Sequence, residues 1–132
     1  MMAMQTEELN GGYKGDKPFS IEVEHRPEAV VVWLAGSCTM TVAAQLGERL
    51  VQLASEPAPL IVVDMAGLDF IESTGLGGLV AGYLRSRRYR NEVRLVSLQP
   101  SIHHLFELTR LTQLFRVFDT LDDALAAEPI GP

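Results

Sequence analysis

Leu60-Ile61-Val62-Val63-Asp64-Met65 is the stretch that decides the fold. It is apolar at both alternating sets of positions, the pattern of a strand buried on two faces in the middle of a sheet. Leu68-Asp69-Phe70-Ile71-Glu72 continues it as an extended connection. Ser73-Thr74 then opens a helix whose inner face is expected to carry Leu76, Leu79, Val80, Tyr83 and Leu84. Beyond Asn91, the alternation Val93, Leu95, Ser97 reads as the next strand.

Outward toward the N-terminus, Phe19, Ile21 and Val23 alternate with Ser20, Glu22 and Glu24 as a half-buried strand. A turn at His25-Arg26-Pro27-Glu28 leads into Ala29-Val30-Val31-Val32-Trp33-Leu34-Ala35, and so short a connection predicts an antiparallel pair. Ser37-Cys38-Thr39-Met40-Thr41 follows Gly36 and can cap a helix running to about Ser55. Val42, Leu46, Leu50 and Leu53 form its apolar stripe, and Glu56-Pro57-Ala58-Pro59 ends it. Toward the C-terminus, Pro100-Ser101 begins a short helix containing Leu105, Phe106 and Leu108. Leu114-Phe115-Arg116-Val117-Phe118 is a last strand, and Leu121 to Ala127 a last helix capped by Thr120. This order argues for one α/β domain, a single sheet with helices crossing between its strands. Residues 1–18 have no periodicity and are expected to be a flexible tail, 19–128 the domain, and 129–132 a C-terminal tail.

At 132 residues the chain has the size of one domain. No apolar run nears the roughly 20 residues that span a bilayer, so no membrane insertion is expected. The start Met1-Met2-Ala3-Met4-Gln5-Thr6-Glu7-Glu8 lacks the features of a secretory signal. The single cysteine, Cys38, excludes an internal disulfide and fits a reducing compartment, which points to the cytoplasm. A net charge of −6, from 17 acidic and 11 basic residues, disfavours nucleic acid. The one basic cluster, Arg85, Arg87, Arg88 and Arg90, falls at the end of a predicted helix, where cations complement the dipole.

Catalytic chemistry needs convergent groups, and none is visible. His103 and His104 are neighbours on a helix, point about 100° apart and do not share a metal; His25 stands alone. Cys38 reads as a small buried hydrophobe. Gly75-Leu76-Gly77-Gly78 matches neither the G-x-x-x-x-G-K-[ST] nor the G-x-G-x-x-G phosphate loop, and the only lysines are Lys14 and Lys17. No metal, cofactor or catalytic residue is therefore expected. The remaining candidate is the strand-to-helix junction itself. Ser73 is placed to cap the helix. Three glycines in the first two turns cost roughly 1 kcal/mol each relative to alanine, so something needs close approach to this backbone, either a neighbouring strand or a partner protein. A phosphate on Ser73 would be accommodated by the free N–H groups of the helix start.

At Asp69-Phe70-Ile71-Glu72-Ser73-Thr74-Gly75-Leu76-Gly77 the chain resembles the STAS family, the sulphate-transporter and anti-sigma-factor-antagonist domains, whose phosphorylation loop reads D-S-[ST]-G-L-G after an aromatic and an aliphatic residue. Pro100-Ser101-Ile102-His103-His104-Leu105-Phe106-Glu107-Leu108-Thr109-Arg110-Leu111 is similar to a later segment of the same family. The resemblance implies a STAS-like fold, one mixed β-sheet of about five strands flanked by about four helices. It implies a non-enzyme that binds a serine-kinase anti-sigma factor, phosphorylated at Ser73 rather than Thr74, with a serine phosphatase reversing the modification; it leaves room for a weak homodimer. The contact surface it implies comprises Glu72, Ser73, Thr74, Gly75, Leu76 and Gly77, with Ser37 and Thr39 from the loop alongside. Two departures stand out: Glu72 replaces the usual aspartate, and Gly36-Ser37-Cys38-Thr39 replaces G-E-[LI]-D, losing both acids. The alternatives are a constitutive interaction module of a transporter or sensory assembly, and a small-ligand sensor.

Overall fold

The computed structural model describes residues 4–9, 17–57 and 60–129 and holds one sheet whose six strands lie side by side in chain order. They are β1 (Met4–Leu9), β2 (Phe19–His25), β3 (Val30–Cys38), β4 (Leu60–Ile71), β5 (Glu92–Val96) and β6 (Arg116–Phe118). The first three pair antiparallel, and the steps from β3 to β6 are parallel. Each parallel step needs a crossover, supplied by α1 (Met40–Ala54), α2 (Ser73–Arg88) and α3 (Pro100–Leu108). Right-handed crossovers that all step the same way leave their helices on one face of the sheet. A short α4 (Leu121–Ala126) packs on the other face. The expected mixed sheet with four flanking helices is present, with one strand more.

That extra strand corrects the reading of the N-terminus as a tail. Met4 to Leu9 pair antiparallel with β2, Met4 opposite Glu24 and Leu9 opposite Phe19. The tail reading rested on missing apolar periodicity. A strand added to a sheet edge is held by backbone hydrogen bonds, which almost any side chains permit. Residues 1–3, 10–16 and 130–132, the rest of the two expected tails apart from Lys17, Pro18 and Pro129, lie outside the described residues.

The period-2 pattern sorts the strands as expected. Phe19, Ile21 and Val23, then Val30, Val32 and Leu34, then Ile61, Val63 and Met65, then Val93 and Leu95 all face the helices and are buried. The stripe Val42, Leu46, Leu50 and Leu53 meets them from α1. On α2 the expected inner face needs correction: Leu84 is 60% exposed, while Gly75, Gly78 and Gly82 join Leu76 and Leu79 on the buried side. The cause is a close helix crossing. A Cβ on Gly78 would stand 3.1 Å from the Cα of Gly47, so the seam of α2 runs along its glycines and turns Leu84 outward. Val80 and Tyr83 remain partly buried against the core.

The end of β3 is shaped by Gly36. Its φ of +85° lies in the left-handed region, and a Cβ there would stand 2.0 Å from the Pro18 carbonyl oxygen. Register shifts on either side of this point bring Ser37 opposite Phe70 and Cys38 opposite Ile71. The "extended connection" after Met65 is thus a continuation of β4, and the carboxyl ends of β3 and β4 lie side by side.

Candidate functional site at the carboxyl ends of the central strands

In open α/β sheets, ligands and partners are met beyond the carboxyl ends of the parallel strands, where the crossover helices begin. Here α1 and α2 start next to each other. The Glu72 backbone N–H donates to the Cys38 carbonyl at 3.0 Å, and the Glu72 side chain accepts from the Met40 backbone N–H at 2.8 Å. Thr39 holds the N-cap position of α1 but makes no side-chain capping bond, and its buried Oγ1 has no partner among the described residues. A carboxylate from the neighbouring loop therefore does the capping that Thr39 does not. The two sequence departures explain each other: the acid missing at Thr39 is replaced by the longer acid at Glu72, whose reach ends at Met40.

Ser73 is not the cap expected of it. Glu72 occupies the N-cap of α2, with φ −88° and ψ 169°, and its carbonyl accepts from the N–H groups of Gly75 at 2.9 Å and Leu76 at 3.1 Å. Ser73 is the first helical residue. Its side chain is exposed and has no hydrogen-bond partner among the described residues. Thr74 and Gly77 are exposed beside it, and Glu72 is partly so. Ser37, Thr39, Gly75 and Leu76 gather at the same end but are buried, supporting the surface from below. A Cβ on Gly75 would stand 2.9 Å from the Cys38 sulfur. Burial first, and the Glu72 carboxylate second, push the Cys38 thiol up to about 12. It stays protonated and is no nucleophile, in keeping with its reading as a small hydrophobe.

Three large apolar side chains on α1, β4 and α3 are exposed, and the sequence did not announce them. Met40, at the start of α1, is 60% exposed, Phe70 on β4 48%, and Leu108 at the end of α3 69%. Phe70 and Leu108 line a groove of about 320 Å³ with Ile71, Ile102, His104 and Leu105. The spacing of Ile102 and Phe106, the two buried residues of α3, was the signal that could have placed Leu108 outside. Asp69, at the groove edge, pairs with Lys17 at 3.2 Å. His103 faces Glu107 at 3.6 Å, and the described residues hold no cluster of three potential metal ligands. No helix among them is long and apolar enough to cross a membrane.

Comparison with known proteins converges on one family. The STAS domain model matches residues 20–124. The chain is 25% identical over 99 residues to an anti-sigma-B factor antagonist of Listeria monocytogenes, covering 74% of this chain and 87% of that one. It is 27% identical over 124 residues to a probable sulfate permease of Schizosaccharomyces pombe, covering 82% of this chain and 19% of the permease. An anti-sigma factor antagonist from Mycobacterium paratuberculosis superposes with a TM-score of 0.71 at 26% identity, covering 92% of each chain. Family match, sheet order and the strand-to-helix junction agree: the chain belongs to the STAS domain family.

Proposed function

We propose that this protein is an anti-sigma factor antagonist that binds a serine-kinase anti-sigma factor and is switched by reversible phosphorylation of Ser73. The observation that carries the reading is an exposed hydroxyl at the first turn of α2, without a hydrogen-bond partner among the described residues, on a chain that also exposes the apolar side chains of Met40, Phe70 and Leu108. The relatives named as anti-sigma factor antagonists support the same role. Unmodified, the serine adds little to desolvate and the apolar side chains drive docking. A phosphate adds about −1.5 to −2 charges at the head of α2. The helix start tolerates it in the free protein, but the partner must desolvate it, and binding weakens by several kcal/mol. Since 1.4 kcal/mol is a tenfold change in affinity, no change of fold is needed. Ser73 is the acceptor in preference to Thr74, and a serine phosphatase restores the binding form in the cytoplasm.

The test is incubation with the host's serine-kinase anti-sigma factors and ATP, followed by intact-mass and fragment analysis. One phosphate on Ser73, absent from Ser73→Ala, is the expected result; modification that persists in Ser73→Ala sinks the assignment. A second reading, a constitutive STAS module of a transporter assembly, is favoured by the similarity to a sulfate permease. It predicts that Ser73→Asp leaves partner binding unchanged.

A further inference from the structure

A cavity of about 460 Å³ opens at the end of α2 remote from Ser73, between the last turn of that helix and the amino ends of β5 and β6. Arg87 and Arg90 line it from α2 and the turn that follows, and Arg116 lines it from β6. Glu92 is the one carboxylate among the described lining residues, so positive charge is in excess by two, in a chain of net charge −6. That excess is available to a ligand. Arg87 and Arg90 are exposed and have no ion pair or hydrogen bond among the described residues. Arg116 uses only Nη1 for Glu92 and the Glu128 carbonyl, which leaves Nη2 and Nε. The dipole of α2 favours cations in its last turn and accounts for Arg87. It does not account for Arg90, which lies past the helix end with a left-handed φ of 59°, where glycine is the usual occupant. Nor does it account for a guanidinium from β6 opening on the same cavity.

Tyr83, Val93 and Leu114 supply an apolar wall, and the Tyr83 ring is fixed edge-on against Phe115 at 5.4 Å. The Ser86 and Asn91 side chains at the rim are already bonded to the Tyr83 and Ala54 carbonyls, so the guanidinium groups set the polarity. We propose that this cavity binds a small organic phosphate, its phosphoryl oxygens on Arg87, Arg90 and Arg116 and its carbon body against Tyr83 and Leu114. Guanidinium forks match phosphate oxygens two at a time. A phosphate monoester carries about −1.5 to −2 charges at pH 7, which cancels the excess; a monocarboxylate leaves one positive charge uncancelled. The volume falls within the roughly 300–1,000 Å³ of small-molecule sites. This inference is independent of the partner proposed above and of the modification of Ser73.

Phenyl phosphate is the probe, titrated against the full-length chain by calorimetry and by thermal unfolding. Wild type is expected to bind it and to gain about 3 °C in Tm at about ten times the Kd. Arg90→Gly weakens binding about tenfold at unchanged or higher Tm, because glycine suits the left-handed turn. Arg87→Gln combined with Arg90→Gly abolishes binding. Inorganic phosphate leaves the apolar wall uncovered and binds at least about tenfold more weakly. Benzoate, with a single charge, is weaker by a similar factor. No binding of phenyl phosphate to wild type at millimolar concentration overturns the proposal, as does an unchanged affinity in the double variant. Equal affinity for inorganic and phenyl phosphate marks general charge screening and overturns it as well; benzoate binding as tightly as phenyl phosphate removes the assignment to phosphate. Ser73→Asp is expected to bind as wild type does. A loss in that variant places the phosphate on the free N–H groups at the head of α2 and overturns the assignment to this cavity.

Discussion

The two faces of the sheet are closed by different physics. On one, α1, α2 and α3 lay apolar side chains on the inward rows of β2 to β5, with Phe106 fully buried and Phe115 bridging to Tyr83 at a ring distance of 5.4 Å. On the other, the apolar cluster is small: Val62, Val96 and Ala124, with Leu60, Phe118, Leu121 and Leu125 at its margin. Beside it lies an ion network. Arg94, only 2% exposed, grips both Glu92 oxygens at 2.9 and 3.0 Å and donates to the carbonyls of Ala124, Ala127 and Glu128. Arg116 reaches the same carboxylate at 3.1 Å and the Glu128 carbonyl at 2.8 Å. A six-residue helix is too short to persist by itself, so α4 depends on its Thr120 cap at one end and these guanidinium groups at the other. The first face is held by many small, replaceable contacts. The second is held by a few charged groups that must all be satisfied at once.

The comparison can be broken from the apolar side with the largest effect. Phe106→Ala removes a buried ring from the three-helix face and is expected to lose about 4 kcal/mol in urea unfolding, with no dependence on pH. Arg94→Leu attacks the polar face. It leaves Glu92 with Arg116 alone and removes the donor to three carbonyls, for a loss of about 3 kcal/mol. The far-UV signal of α4 should go first while the three-helix face remains folded. A loss no larger than that of an average surface substitution would show that the network is incidental. Glu92→Gln sharpens the contrast with the smallest effect, about 1.5 kcal/mol at pH 7. Burial alone would raise the Glu92 carboxyl; hydrogen bonds and charge from Arg94 and then Arg116 overcome this and hold it below its ordinary value of 4.5. A depressed folded value means that the stabilisation is present above about pH 4.5 and is lost as pH falls through the folded value. Wild type and Glu92→Gln should therefore converge in acid, which unfolding curves at neutral and acidic pH would reveal.

What was legible in the residues follows the same division. Alternation in Phe19 to Val23 and in the stretch after Ala29, the doubly apolar Leu60 to Val63, and the stripe Val42, Leu46, Leu50, Leu53 all report burial against an apolar neighbour, and each lies as expected. The features that went unread involve polar or backbone partners far away in sequence. Strand β1 is bound through its main chain. Glu72 caps a helix that begins 32 residues earlier. Leu84 turns outward because two glycines, Gly47 and Gly78, let α1 and α2 approach. At the candidate site, Ser73 and its glycines were visible as a pattern. Which glycines serve packing, and which one stands open, was not.

The sequence by itself determined the family, the element order from β2 onward and the pair of hydroxyl residues at the head of α2. These depend on periodicity and on short local motifs, and both are written along the chain. Only the tertiary structure decided that Glu72 rather than Ser73 holds the cap position, that Phe70 and Leu108 line one groove, and that Gly77 alone among the α2 glycines has free space above it. Each of these depends on which distant segment arrives alongside, and a one-dimensional pattern carries no distance between segments.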